Sequence, residues 1–164
     1  MEETMRSRMS NPVEVVPELG DVAGALYKAT GNGSVPPTTI NLIGLRASQI
    51  VANTYLTVRS ANEFRKAGES EERMVAVASW RDAPYFTEAE RAALALVEAV
   101  LQPSTEGERV PDELYAQAAK HYDAQALATL TIAIGQVCFW IPIALIGRPL
   151  PGMPPAEAWT SGAE

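Results

Sequence analysis

Apolar residues recur every three or four positions along most of the chain, the spacing of one face of an α-helix. The first such run, Val13–Thr30, carries Leu19, Val22 and Leu26 in this register and ends in a glycine-rich turn before Pro36. The alternation of apolar and polar residues that is typical of strands is weak throughout. The pattern therefore predicts an all-α protein of about seven helices.

Residues that cap or break helices mark where these helices begin and end. Pro36 and Pro37 open a helix, since proline is tolerated in a first turn. The next helix is predicted to begin within Ser48–Ser60 and to run to about Ala67, with Gly68 as the residue that ends it.

Three later helices carry a capping side chain at their start. Ser70 begins a helix that we predict to reach Trp80, and Thr87 begins a capping-box sequence. Asp123 caps the final apolar helix, which we expect Pro142 to bend or stop. These signals give the helical domain well-defined boundaries.

Composition changes at both ends of the chain, which suggests three segments. Residues 1–12 are polar, without the apolar core of a secretory signal, and are predicted to be flexible. Residues 13–148 form the helical domain. Residues 149–164 are a proline-rich tail, predicted to be extended, in which Trp159 is either exposed or pins the tail to a neighbour.

The segment Ala126–Gly147 contains 22 residues without a charge, long enough to span a bilayer. It also holds Thr129, Gln136 and Pro142 and lacks flanking clusters of Lys and Arg. We therefore expect no membrane span, and instead a helix buried on all sides in the core of an oligomer or bundle.

Charge and cysteine content exclude several classes of function. The net charge of −7 argues against a nucleic-acid groove, which needs a basic face. With Cys138 as the only cysteine and His121 as the only histidine, no intrachain disulfide can form and a typical zinc site is not expected. We expect no metal or other cofactor, and a cytoplasmic protein.

Four segments of the sequence together resemble the sequences of one protein family. They are LIGLRASQ, FRKAGESEER, SWRDAPYFTEAERAALALVEAV and VPDELYAQAAKHYDAQALATLTIAIGQVCFW, and the resemblance extends over Ile40–Trp140. On these residues the chain resembles the AhpD-like, carboxymuconolactone decarboxylase superfamily. The resemblance implies an AhpD-like helical bundle that assembles as a homo-oligomer: a dimer, trimer or hexamer.

The resemblance also implies an activity, and the residues that would perform it are replaced. AhpD-type relatives reduce alkyl hydroperoxides with a Cys-x-x-Cys pair at a helix start, helped by a histidine and an upstream glutamate. Here the two cysteines fall on Asn53 and Leu56, the histidine on Ser60 and the glutamate on Asn41. None of these side chains can act as a thiol or titrate near neutral pH. We therefore expect the dithiol peroxidase activity to be lost.

A pocket near the former dithiol is the remaining candidate site. We predict that it binds a small molecule through five residues, Asn41, Asn53, Tyr55, Ser60 and Trp140. The alternative is structural: Asn53 is a helix cap, Ser60 a small packing residue and Trp140 a core or interface anchor. Many relatives carry Trp-Asn-Arg where this chain has Trp140-Ile141-Pro142, so an anion-binding arginine is also absent.

Three hypotheses of function remain open. The first is an oligomer that binds a small molecule or performs non-redox chemistry in the residual pocket. The second is a decarboxylase-like or isomerase-like enzyme that uses Tyr55 or His121 as an acid or base. The third is a non-catalytic scaffold assembled through the apolar last helix. Cys138 is either a lone peroxidatic thiol or, between Val137 and Phe139, an inert core residue.

Overall fold

The computed structural model describes residues 5–102 and 105–160, and these form an all-helical fold without a strand. The α-helices are α1 (Pro12–Val15), α2 (Glu18–Thr30), α3 (Pro37–Ile50), α4 (Thr54–Lys66), α5 (Glu71–Ala76), α6 (Glu88–Leu101), α7 (Asp112–Ala119) and α8 (Ala124–Gly147), with a 3₁₀ turn at Val77–Ser79. The predicted all-α fold is confirmed. The eighth helix arises because α1, a single turn, is separate from α2.

The predicted capping residues begin the helices as expected. The side chain of Ser70 accepts a hydrogen bond from the backbone N–H of Arg73, and that of Asp123 from Ala126. Thr87 and Glu90 form the complete capping box at the start of α6. Each cap satisfies a backbone donor that a first turn leaves unpaired, which stabilises the helix by about 1 kcal/mol.

Two predicted helix boundaries are set by backbone that cannot continue a helical path. The run Val13–Thr30 is interrupted after Val15, just before Pro17, whose ring supplies no N–H. The helix predicted within Ser48–Ser60 begins at Thr54, because Ala52 adopts a left-handed conformation with φ 53° and ends α3. Residues 48–50 therefore belong to the preceding helix.

Two other boundaries differ from the prediction. The helix that begins after Ser70 ends at Ala76 and continues to Ser79 as the 3₁₀ turn, so it does not reach Trp80 as one α-helix. Helix α8 runs past Pro142 to Gly147. Of the two effects predicted for Pro142, to bend or to stop this helix, the second is therefore wrong.

Helix α3 lies at the centre of the fold, with α4, α6 and α8 packed around it. One of its faces buries Leu42 and Leu45 against Phe64 of α4. Another buries Ile43 against α6 and against Leu130 of α8. Each large apolar side chain buried in this way contributes roughly 1.5–3 kcal/mol. This packing fixes α3, α4 and α8, the helices that also form the walls of the candidate site.

Helix α8 is long and apolar enough, by length and composition alone, to cross a membrane. Within one chain only 28% of its most apolar segment is buried. The exposed residues include Ile132, Phe139, Leu145 and Ile146. A single chain therefore does not bury α8 on all sides, and its burial in an oligomer stays a prediction.

The two terminal segments lie against each other. Ser7 donates its N–H to Oγ1 of Thr160 at 3.0 Å, and Thr160 donates its N–H to Oγ of Ser7 at 2.9 Å. Ser7 is only 3% exposed, and Ala158 is fully buried. Residues 1–4 and 161–164, which belong to the two segments distinguished by composition, lie outside the described residues.

Candidate functional site

A cavity of about 510 Å³ lies between α3, α4 and α8 and is the site's main feature. Helix α2 and the two terminal segments complete its wall. Its lining residues are Asn11, Pro12, Val13, Leu19, Ala23, Ile40, Asn41, Gly44, Ser48, Tyr55, Leu56, Arg59, Ser60, Glu63, Ala133, Gln136, Val137, Trp140, Ile143, Ala144, Pro149, Pro155, Ala156 and Trp159. Most are apolar, and the polar ones are concentrated on α3 and α4.

Asn41 presents an unused amide to this cavity. It lies on α3 beside Ile40 and Gly44, which also line the wall. Among residues 5–102 and 105–160, no side chain or backbone group forms a hydrogen bond with the Asn41 amide. An amide offers two donors and a carbonyl acceptor. Asn41 is therefore free to bind a polar group of a ligand.

Ser60 faces the same cavity, where it meets Ser48 of α3. Their hydroxyl oxygens are 3.1 Å apart, and Ser48 also donates a hydrogen bond of 2.7 Å to the carbonyl of Gly44. Because Ser48 uses its proton on Gly44, Ser60 is the donor of the bond that joins the two hydroxyls. The pair forms a neutral polar spot between α3 and α4.

Asn53 lies outside this cavity and caps α4. Its Oδ1 accepts a hydrogen bond of 2.9 Å from the backbone N–H of Leu56. It lines a separate surface depression beside Ala52 and Arg148. The structural interpretation of Asn53 as a helix cap is thus confirmed.

Leu56 and Tyr55, in the first turn of α4, form part of the cavity wall. Both are buried, each 8% exposed, and they pack with Ala144 of α8 and Ala158 of the tail. The Tyr55 hydroxyl accepts a hydrogen bond of 3.2 Å from the guanidinium of Arg59. The position that matches the family's second cysteine is therefore an apolar packing position.

Trp140 reaches the cavity from α8, together with a residue that the sequence prediction did not include, Gln136. The two are four residues apart and so share a helix face. Gln136 Oε1 accepts a hydrogen bond of 3.3 Å from Thr30, and Trp140 packs edge-on against the Phe139 ring. The four-residue spacing between Gln136 and Trp140 was the sequence signal that could have placed Gln136 on the same cavity-lining face of α8.

Trp159 also lines the cavity, and no sequence signal identified it. It contacts the last turn of α8, at Gly147, from the far end of the chain. Trp159 is half-buried within its own chain, so the interpretation of it as simply exposed is wrong, and its contact with a neighbouring subunit stays a prediction. Glu63 and Ser48 are further lining residues that the prediction left out.

Cys138 and His121 both lie away from the cavity. Cys138 packs against the core cluster around Ala133 and Ile134, and burial raises the pKa of its thiol above its ordinary value. A protonated thiol is a poor nucleophile. His121 is exposed at the end of α7. Neither side chain lines the cavity within the described part of the chain.

The buried carboxylate of Glu98 and its partners form a separate structural cluster. Arg46 donates to Oε1 of Glu98 at 2.8 Å, Trp80 donates to the same oxygen at 2.8 Å, and Arg81 pairs with the other oxygen. Burial acts to raise the pKa of Glu98. The hydrogen bonds from Trp80 and Arg81 and the charges of Arg81 and Arg46 outweigh it and hold this pKa below its ordinary value. Arg46 is thus committed to Glu98.

Across residues 5–102 and 105–160, no cluster of three His, Cys, Asp or Glu side chains could hold a metal ion. An all-helical bundle around a mostly apolar, thiol-free cavity is the class that these features define.

Residues 17–99 match the model of the carboxymuconolactone decarboxylase family. The chain is 33% identical over 133 residues to the uncharacterized protein YdfG of Bacillus subtilis, a match that spans 80% of this chain and 88% of YdfG. It is 34% identical over 100 residues to the uncharacterized protein YnjA of Escherichia coli, across 60% of this chain and 53% of YnjA. The chain belongs to the carboxymuconolactone decarboxylase family and lacks the Cys-x-x-Cys pair.

Solved structures share the fold. A protein of unknown function from Agrobacterium tumefaciens, ATU0492, described provisionally as the antioxidant defence protein AhpD, matches with a TM-score of 0.80 and 29% identity, over 91% of this chain and all of that one. The debrominase Bmp8 matches with a TM-score of 0.75 and 18% identity, over 89% of this chain and 77% of that one. The AhpD-like fold predicted from the sequence is therefore confirmed.

Proposed function

We propose that this protein binds an uncharged, largely apolar small molecule in the cavity between α3, α4 and α8, without dithiol redox chemistry. The observation that carries the proposal is the Asn41 amide, which has no hydrogen-bond partner among the described residues and lines a mostly apolar cavity of about 510 Å³. Such a cavity suits a ligand of drug-like size that is held by apolar contact and oriented by a few polar groups.

The polar groups of the wall favour a neutral ligand over an ion. Asn41, Ser48, Ser60 and Gln136 offer hydrogen bonds without charge, and Arg59 and Glu63 bring one charge of each sign. A buried ligand charge would need an opposite charge beside it, because desolvation of an unpaired ion is costly. The rings of Trp140 and Trp159 add flat apolar surface that favours an aromatic ligand.

Loss of the peroxidase activity is part of the same proposal. Asn53 is committed to capping α4, Leu56 is packed in the core, and Cys138 stands alone outside the cavity. Consumption of an alkyl hydroperoxide with dihydrolipoamide as donor should not exceed that of the Cys138→Ser variant. Turnover by the wild type that this variant lacks would contradict the proposal.

Binding through Asn41 can be tested with two aromatic probes of similar size, naphthol and naphthalene. Asn41→Leu keeps the side-chain volume but removes the amide, so it should weaken naphthol binding about tenfold and leave naphthalene binding unchanged. Asn62→Leu, on the exposed side of α4, is the matched control and should change neither affinity. If the wild type binds neither probe saturably, the proposed function is wrong.

The enzymatic alternative depends on Tyr55. Of the two acid–base candidates from the sequence, Tyr55 lines the cavity and His121 does not. A decarboxylase-like or isomerase-like activity would therefore have to use Tyr55, with Arg59 beside its hydroxyl. Loss of such an activity in Tyr55→Phe, with ligand affinity retained, would favour this alternative over binding alone.

The proposal includes a cytoplasmic homo-oligomer. Exposed apolar residues follow one side of α8, from Ile132 through Phe139 to Ile146, and a second copy would remove them from water. The single free cysteine fits a reducing compartment. The family resemblance suggests a dimer, trimer or hexamer, and the third hypothesis, a scaffold without a ligand, would use the same surface.

A further inference from the structure

The terminal segments form the one part of the cavity wall that is not built from packed helices. Pro149, Pro155, Ala156 and Trp159 contribute from the C-terminal side, and Asn11 contributes from the N-terminal side. The remaining lining residues lie on α1 to α4 and α8, where α4 and α8 pack on α3, α2 packs on α8 and α1 packs on α2. A ligand that cannot pass between packed helices must pass the terminal segments.

Within the C-terminal segment, residues 149–160, only Pro149 and Ala158 are buried. The reciprocal hydrogen bonds between Ser7 and Thr160, of 3.0 and 2.9 Å, tie its end to the N-terminal segment. A backbone hydrogen bond of 2.8 Å joins Leu150 to Ala158 and closes the loop between them. Residues 152–157 within this loop are exposed. Segments with so few buried contacts open locally at low free-energy cost.

The C-terminal segment packs closely against Gly147, in the last turn of α8. A Cβ atom at position 147 would lie 2.6 Å from Cζ3 of Trp159 and 2.9 Å from Sδ of Met9. Any larger residue would therefore displace the tryptophan from the end of α8. Trp159 in turn packs beside Tyr55 and Leu56, which also line the cavity. Glycine at position 147 thus allows the tail to close over the ligand site.

We propose that residues 149–160 are a lid that controls ligand access to the cavity, with the Ser7–Thr160 pair as its latch. This inference rests on the proposed function, because it concerns the regulation of the same site. It predicts that the latch limits how fast a ligand enters and leaves. A rigid wall, in contrast, would affect only how long the ligand stays.

Stopped-flow fluorescence with N-phenylnaphthylamine, a neutral apolar dye, separates these outcomes. Ser7→Ala and Thr160→Val each remove one latch bond, and each should raise the association and dissociation rates together by about fivefold. The dissociation constant should change less than twofold. Gly147→Ala, which unseats Trp159, should raise both rates as well. Thr38→Val, at the start of α3, is the control and should leave both rates unchanged.

A rise in the dissociation rate alone, with association unchanged, would overturn the lid and leave the binding function intact. Amide hydrogen exchange tests the lid without a ligand. The amides of Leu150 and Thr160 should exchange at least tenfold faster than those in the middle of α8, and faster still in Ser7→Ala. Exchange at the α8 rate would overturn the lid. Fast exchange in a protein that binds no dye would instead contradict the proposed function alone.

Discussion

Asn41 and Asn53 occupy two of the positions that resemble the relatives' redox site, yet the structure uses them differently. The side-chain oxygen of Asn53 accepts a hydrogen bond from the backbone N–H of Leu56, while the Asn41 amide has no partner among the described residues. The sequence shows that either asparagine could cap a helix or bind a ligand, but it does not show which residue does which. The assignment depends on where α4 begins, and this is set by the left-handed Ala52.

Glu98 was not singled out from the sequence, because its partners come from two other, separate parts of the chain. Arg46 lies on α3, and Trp80 and Arg81 follow the 3₁₀ turn. Side chains this distant in sequence are brought together only by the packed fold. Glu98 is 5% exposed, so its charge depends on these partners.

Glu98→Gln is predicted to lower the free energy of unfolding by about 3 kcal/mol at neutral pH, because it leaves Arg46 without its buried partner. The depressed folded-state pKa means that the stabilisation is complete above the ordinary value of 4.5. It is lost as pH falls through the folded-state pKa. Urea denaturation between pH 3 and pH 7 measures both effects, with the exposed Glu88→Gln on the same helix as control. Equal stability of the two variants would disprove this role.

At the level of helices, the starts were predicted better than the breaks. Ser70, Thr87 and Asp123 carry short-range capping signals, and each begins a helix where expected. Asn53 supplies such a signal for the start of α4, but the end of α3 at Ala52 has none, because alanine rarely adopts a positive φ and is a good helix former. The continuation of α8 past Pro142 likewise depends on packing rather than on local preference.

Ala52→Gly is predicted to stabilise the protein by about 0.5–1 kcal/mol. Glycine removes the steric cost of φ 53° at this position, and this gain exceeds the entropy that glycine adds to the unfolded chain. Ala25→Gly, at an exposed position inside α2, should instead destabilise by about 1 kcal/mol. Chemical denaturation of both variants provides the comparison. A loss of stability in Ala52→Gly as large as in Ala25→Gly would contradict the assigned backbone strain.

At the scale of the whole molecule, the family and the fold follow from sequence patterns that are distributed over most of the chain. The cavity was predicted only in part. Tyr55, Ser60 and Trp140 lie on helices that the family motifs identify, whereas Trp159 reaches the cavity only because the two termini meet. Contacts between residues more than 150 positions apart leave no local pattern to detect.

The exposed apolar side of α8 leads us to predict that copies of this chain associate through it. Phe139→Asp places a charge in the middle of this apolar surface, so it should reduce the molecular mass measured by light scattering from an oligomer to a smaller species. Tyr115→Asp changes an even more exposed aromatic residue, on α7, and should leave the mass unchanged. A monomeric wild type would contradict the oligomer directly.

The central claim is that the cavity between α3, α4 and α8 is a ligand site, and one equilibrium titration with N-phenylnaphthylamine tests it most directly. Gly44→Leu should fill the cavity, because a Cβ there meets only Ser60 Oγ, at 3.6 Å, and the rest of the side chain extends into the space. Gly24→Leu, on the exposed side of α2, is the matched control. The claim predicts saturable binding by the wild type and Gly24→Leu, and at least tenfold weaker binding by Gly44→Leu. Equal affinity in the two leucine variants would contradict it.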